Sequence, residues 1–392
     1  MRTLTALATA LVTALGLAPA PAAAQSSDWG SSGNSSSSSP SGPAQPAQPY
    51  NPAPAITPGL TVQQMGDVVG RGISDAMKVL SADLGIMVAL SSIVGVFAII
   101  FGDSFRGAKF GEGEWVSPVG ATAHLDENGR IEIDEPLGGT TRAEQLIAYE
   151  HDNGTTLIPS DAIDIDGTLY LQGMWNEPFG TLTRLSIYAS EDNGNTWDQV
   201  DWERPSFMGG HGQIISWEKD EDGFVYIVSA RFGRTDDVYL SRVLAEDIGD
   251  FEEWEHFDPA TGEWYAEWND AIGPVLSTTV RAGEMSLRKI DGYWVLSMFN
   301  EQTAAIEVRV ASEITADWDA ITPASVVIAG DGGWGASQGP DNFTQLYGGY
   351  IVPGTHLDNL GVVVSQWNTQ TNSVYRSTQF QVRGLDEFFG LR

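Results

Sequence analysis

Nineteen consecutive uncharged residues, Leu84 to Gly102 (LGIMVALSSIVGVFAIIFG), carry an aspartate at each end, Asp83 and Asp103. As one helix the segment is long enough to cross a bilayer, and its two carboxylates would stand about 28–30 Å apart. As a β-hairpin turning near Ser91–Gly95, it places Asp83 and Asp103 at the same end of adjacent strands, about 5 Å apart at Cβ. The first arrangement is a membrane anchor. The second sets two carboxyl groups side by side for acid–base chemistry.

The N-terminus reads as an export signal. Arg2 precedes an apolar core from Leu4 to Leu17, and Ala22-Ala23-Ala24 offers a small-residue cleavage site before Gln25, so residues 1–24 are a signal peptide. Residues 25–58 are rich in Ser, Gly, Pro and Ala without apolar periodicity; such a segment cannot bury a core and forms a disordered linker. The remaining residues, 59–392, suffice for one large all-β domain. The chain has no cysteine, so an exported domain of this size must be held by its core rather than by disulfides. A net charge of −32 disfavours nucleic acid and anionic membranes as partners. It fits a soluble exported protein, secreted or cell-wall associated and expected to be a monomer, that acts on a neutral or cationic ligand.

A glycine opens a short apolar run five times: Gly95-VFAIIF, Gly167-TLYLQG, Gly223-FVYIVS, Gly292-YWVLSM and Gly349-YIVPG. Asp166, Asp222 and Asp291 precede three of these glycines, the Asp-Gly pair of a tight hairpin. Further strands follow in the same order. Ala189-Ser190-Glu191 with Trp197-Asp198 aligns with Ala311-Ser312-Glu313 and Trp318-Asp319, and VYLSRV (238–243) with GVVVSQW (361–367). Five such units predict a five-bladed β-propeller. Ser190-x-Asp192-x-Gly194-x-Thr196-Trp197 has the form of an Asp box, read as a structural turn between outer strands.

In this frame Leu84–Gly102 is the inner hairpin of the first blade. Neighbouring blades cover both of its faces, so an apolar run without alternation is expected. Val88, Ile93, Val94, Val96, Ile99 and Ile100 favour strands. The anchor reading is the weaker one.

Polar residues that start the innermost strands of a propeller converge on its axis. Here they are Asp83, Asp161, His211, Glu284 and Asp341, joined by Asp103. Carboxylates gathered there repel one another and raise some pKa values, an arrangement suited to an acid and a base in glycoside cleavage. Aspartate is also common at turns and strand ends for local hydrogen bonding, and the bracketing pair Asp83/Asp103 is the strongest candidate. Trp115, Trp175, Trp334 and Trp367 lie near loops or strand ends, where an indole can stack on a sugar. The five histidines show no metal-ligand spacing, and no cofactor is required; a structural calcium is not indicated.

DLGIM (83–87), FGDSF (101–105), WVSP (115–118), IPSDAIDIDGTLYL (158–171), SEDNGNTW (190–197), GEMS (283–286), and YGGYIVPG followed by SQWNT (347–369) together resemble the actinobacterial domain-of-unknown-function 4185 family, grouped as glycoside hydrolase family 183. The resemblance spans roughly residues 66–390. It implies a five-bladed propeller that acts as an endo-D-arabinofuranosidase on cell-wall arabinogalactan and lipoarabinomannan. It places the catalytic aspartates at Asp83 and Asp103. The roles expected on that basis are Asp83 as base or nucleophile and Asp103 as acid, with Asp161 and Glu284 adjusting charge or binding sugar hydroxyls. The competing readings are a non-catalytic, lectin-like propeller at the cell surface, or a membrane-tethered protein anchored through residues 84–102.

Overall fold

The computed structural model describes residues 55–178, 180–277, 280–329, 345–369 and 371–391. The expected signal peptide, nearly all of the linker, Asp341 and Trp334 lie outside the described residues.

Five antiparallel sheets form five blades. Blade one runs Ser81–Ala89, Val96–Phe105, Val119–Leu125 and Ile131–Pro136, with the short strand Trp115–Val116 beside its second strand. Blade two comprises Thr156–Ile165, Thr168–Asn176, Leu182–Ser190 and Asp198–Glu203. Blade three is Ile214–Lys219, Phe224–Ala230, Tyr239–Leu244, Glu255–Asp258 and Glu263–Tyr265. Blade four is Ala282–Ile290, Tyr293–Asn300, Ala305–Ala311 and Ala324–Ile328. Blade five takes Leu346–Ile351, Asn359–Trp367 and Tyr375–Arg383, and is completed on its outer edge by Thr61–Asp67. The first strand in each list is the innermost. Each inner strand contacts that of the next blade, and blade five's contacts blade one's, which closes the ring. The fold is a five-bladed β-propeller.

The apolar segment is a hairpin, so residues 84–102 are not a membrane anchor. Among the described residues no helix is long and apolar enough to cross a membrane. Ile86, Met87 and Phe97 through Phe101 are buried, because the neighbouring blades cover both faces of this hairpin. Ile93 and Val94 depart from the expectation. They sit in the turn rather than in a strand, and Val94 is fully exposed, at 101%.

Asp166-Gly167 and Asp291-Gly292 make two-residue hairpin turns with positive φ at both positions (53° and 97°; 53° and 83°), the geometry for which Asp-Gly is favoured. The fifth glycine breaks the pattern. Gly349 lies within the innermost strand of blade five, at a bulge, rather than opening the second strand. A Cβ there would come within 2.8 Å of Ile306, so this glycine permits close blade packing. Consequently residues 361–367 belong to the second strand of blade five and not to a third.

The Asp box forms the expected turn between the outer strands of blade two. The Asp192 carboxylate accepts from the Thr196 amide (2.8 Å) and hydroxyl (2.7 Å), and the Trp197 indole donates to the Gly194 carbonyl at 2.9 Å. Trp318 repeats this in blade four, donating to the Ile314 carbonyl at 2.8 Å.

Candidate active site

Blade one's inner hairpin is irregular just where its carboxylates lie. Its pairing steps from Ala82–Ser104 to Leu84–Phe101, with a further shift before Ile86–Ile100. Asp83 on one strand therefore faces Gly102 and Asp103 on the other, across a β-bulge, a device that re-aims side chains. Leu84 adopts φ 62°, rare for a residue with a Cβ. The Leu84 carbonyl accepts from the hydroxyls of Ser365 (3.2 Å) and Ser377 (2.9 Å) of blade five. Such outside restraint lets a strained backbone persist beside a functional group. Gly102 leaves room for the carboxylate, since a Cβ would lie 2.7 Å from Oδ1 of Asp83.

The two carboxyl groups have different surroundings. Oδ2 of Asp83 accepts from the Tyr347 hydroxyl at 2.9 Å, and the Tyr375 side chain nearby also favours the carboxylate form. Oδ1 is shielded from solvent and has no partner. Burial, then the neighbouring charge of Asp103, pushes the Asp83 pKa up to about 8 against the pull of the two tyrosines; Glu284 adds to the rise. Asp103 is 9% exposed. Its Oδ1 accepts from the Thr156 hydroxyl at 2.8 Å and the Trp115 indole at 3.0 Å. Burial raises its pKa too, opposed by those two donors, by His151 and by Ser117. Burial raises both pKa values; Asp83 lies under the added charge of Asp103, while Asp103 accepts from two side-chain donors, Thr156 and Trp115, that favour its carboxylate form.

Glu284, 6% exposed, lies close enough to raise the Asp83 pKa. Arg234 donates to its Oε1 at 2.6 Å and rests over the faces of Tyr347 and Phe299. Asp83, Asp103, Glu284 and Trp115 are thus brought together. Trp115 does not offer a bare face: its ring stacks on His151 with centroids 3.8 Å apart and planes 13° apart, and it lies beside Phe105.

The other candidates have different surroundings. Asp161 is fully buried and paired by a two-pronged contact with Arg288 (2.9 Å on each oxygen). It also accepts from Ser216 and from the Trp217 amide. Arg288 extends this link to the Met87 carbonyl, so the pair ties together blades one to four. His211 donates through Nδ1 to Asp236 at 2.6 Å and lies against Tyr239 and Trp268 of blade three and its following loop. Trp175 donates to the Tyr188 hydroxyl at 3.0 Å, beneath Arg184 and against the edge of Tyr149. Among the described residues no group of three or more His, Asp or Glu side chains is arranged to hold a metal ion.

Residues 71–381 match the model of DUF4185, a domain of unknown function. The chain belongs to the DUF4185 family. A relative from Mycolicibacterium smegmatis, an uncharacterized 35.9 kDa protein in the asd 3' region, is 30% identical over 310 residues, covering 73% of this chain and 88% of that protein. Among solved structures, a candidate hydrolase of Bacteroides ovatus superposes with TM-score 0.57 at 10% identity, covering 80% of this chain and 88% of that one. A GH43_1 enzyme of Xanthomonas citri gives 0.50 at 12% identity, covering 81% and 90%. At such identities the likeness is one of fold.

In this DUF4185 domain, sequence reasoning missed Tyr347, Tyr375, Thr156, His151 and Arg234. Tyr347 opens the YGGYIVPG motif and Thr156 lies two positions before IPSD, so proximity to a motif was the available signal for those two. Tyr375, His151 and Arg234 carried none, because only tertiary packing between separate loops and blades brings them to the site.

Proposed function

We propose that this protein is a secreted glycoside hydrolase of the family 183 type, cleaving internal α-D-arabinofuranosyl linkages of neutral cell-wall arabinan. The observation that carries this reading is the pair Asp83 and Asp103, held at one bulge with different hydrogen-bond partners. Two neighbouring carboxyl groups, one to give a proton and one to take a proton or attack, are what glycoside cleavage needs. The motif resemblance selects arabinan, and a net charge of −32 fits a neutral polymer better than an anionic one. The basic and apolar N-terminus favours export.

We assign the two roles the other way round from what the motifs imply, because Thr156 and Trp115 donate to Asp103 and favour its carboxylate form. Asp83, protonated at neutral pH, donates its proton to the glycosidic oxygen as the C1–O bond breaks. Asp103 remains the carboxylate stabilised by Thr156 and Trp115. It either takes a proton from the water that attacks C1, giving inversion, or attacks C1 itself, giving a glycosyl-enzyme that water then hydrolyses. Glu284, neutralised in part by Arg234, keeps the Asp83 proton in place.

The test is digestion of D-arabinan, with other neutral polysaccharides as controls, and chromatography of the products. A ladder of arabino-oligosaccharides is expected from the wild type, and none from Asp83→Asn or Asp103→Asn with an intact fold. Binding without cleavage by the wild type would replace the enzyme with a lectin-like propeller.

A further inference from the structure

His151 lies in the loop before blade two and was chosen by no motif. Its ring covers the Trp115 indole at 3.8 Å, and the same indole donates its N–H to Asp103. Its Nδ1 lies 2.9 Å from the Thr155 carbonyl. A carbonyl only accepts, so Nδ1 carries the hydrogen and the neutral ring presents a bare Nε2. That nitrogen is shielded from solvent and has no partner. Thr155 is followed by Thr156, the second donor to Asp103, so one short stretch fixes both the imidazole and the hydroxyl.

We propose that His151 is a positioning residue for Asp103, clamping the Trp115 indole so that its N–H stays on the carboxylate. The proposal rests on the hydrolase reading for its kinetic consequence only; the linkage of the three side chains is independent of it. The charged and titratable groups around the imidazole are Asp103 from blade one, and Glu150 and Tyr149 from its own segment. Burial pushes the His151 pKa down, while the Thr155 carbonyl, Asp103 and Glu150 oppose the fall. A proton on His151 in turn favours a negative Asp103. Such coupling is reciprocal: what Asp103 does to His151, His151 does to Asp103.

Two readouts test this. The first is tryptophan fluorescence followed against pH, in which protonation of a stacked imidazole quenches the indole. An acid-side quenching step is expected in the wild type and absent from His151→Phe and Trp115→Phe. In Asp103→Asn its midpoint moves to lower pH. The second is kinetics on D-arabinan. His151→Ala lowers kcat about tenfold or more, with KM within about twofold, by loosening the carboxylate's hold. His151→Phe, which keeps a flat ring against the indole, recovers part of that loss. A quenching step unchanged in His151→Phe or unmoved in Asp103→Asn, or a kcat for His151→Ala within about twofold of wild type, overturns the proposal. Should His151→Ala fail to fold, the phenylalanine variant and the Asp103→Asn midpoint decide. Absence of any wild-type cleavage overturns the hydrolase reading instead, and the fluorescence arm still decides the linkage.

Discussion

Tyr347 donates its hydroxyl to Oδ2 of Asp83 at 2.9 Å, across 264 positions of sequence. The bond joins the innermost strands of the last and first blades. It favours the carboxylate form, opposing the burial that holds the proton on. Tyr347→Phe removes that donor and keeps the ring under Arg234. The basic limb of the pH–rate profile should move to higher pH, with kcat lowered about tenfold or more. A profile superimposable on that of the wild type would show that Asp83 is not the titrating acid.

Asp83 also links pH to stability. Its pKa is raised from 3.8 to about 8 in the folded chain, so the native state binds a proton that the unfolded chain has released. The stabilisation is fully present below pH 3.8 and is lost as pH rises toward 8. Within that window the group contributes a slope of about −1.4 kcal/mol per pH unit. Asp83→Asn, neutral throughout, should gain on the wild type steadily from pH 4 to 8 and by a constant amount above. Urea denaturation of both proteins at intervals of one pH unit measures the difference, and parallel curves would contradict the raised pKa.

Gly102 sits opposite Asp83 with no positive-φ requirement, so a substitution there acts through space alone. The new methyl of Gly102→Ala would meet Oδ1 of Asp83 at 2.7 Å and Leu84 Cδ1 at 2.8 Å. A loss of about 1–3 kcal/mol is expected from overpacking, together with a larger fall in activity than the stability loss explains. Thermal melting and kcat measured side by side check this. Full activity would mean that the carboxylate tolerates displacement.

Asp161 and Arg288 form a buried ion pair away from the Asp83–Asp103 bulge. Asp161→Asn leaves the guanidinium without a counter-charge and should cost about 3–5 kcal/mol. Adding Arg288→Met should recover much of that loss, because the uncompensated charge is then gone. Both variants should retain cleavage when assayed well below their melting temperatures. Loss of activity in a fully folded Asp161→Asn protein would return Asp161 to the list of substrate contacts.

Blade number and the inner hairpins were legible because Asp-Gly turns and apolar runs are local signals. Asp166-Gly167 and Asp291-Gly292 announce their turns through backbone geometry alone. Gly349 misled for a related reason: a glycine that admits Ile306 from blade four reads, in one dimension, like a glycine that makes a turn. Asp83 and Asp103 stood out because a single hairpin delivers both. Asp161 shared their position at the axis, but nothing local revealed that Arg288, 127 residues away, would claim it. The partners of the two aspartates were equally hidden, since Thr156 on the neighbouring blade and Tyr347 on the last one reach them only through packing between blades.

The strand Thr61–Asp67 pairs with Tyr375–Arg383, Thr61 opposite Arg383 and Asp67 opposite Thr378. The first segment of the domain to leave the ribosome must therefore wait for the last before it finds its partner. Asp83 and Asp103 are made early, yet Tyr347 and Tyr375 arrive only with the final blade. A chain interrupted before that point carries both aspartates but lacks the hydroxyls and the serine-held backbone that organise Asp83. On the proposed hydrolase reading, forms cut before blade five should therefore be catalytically silent.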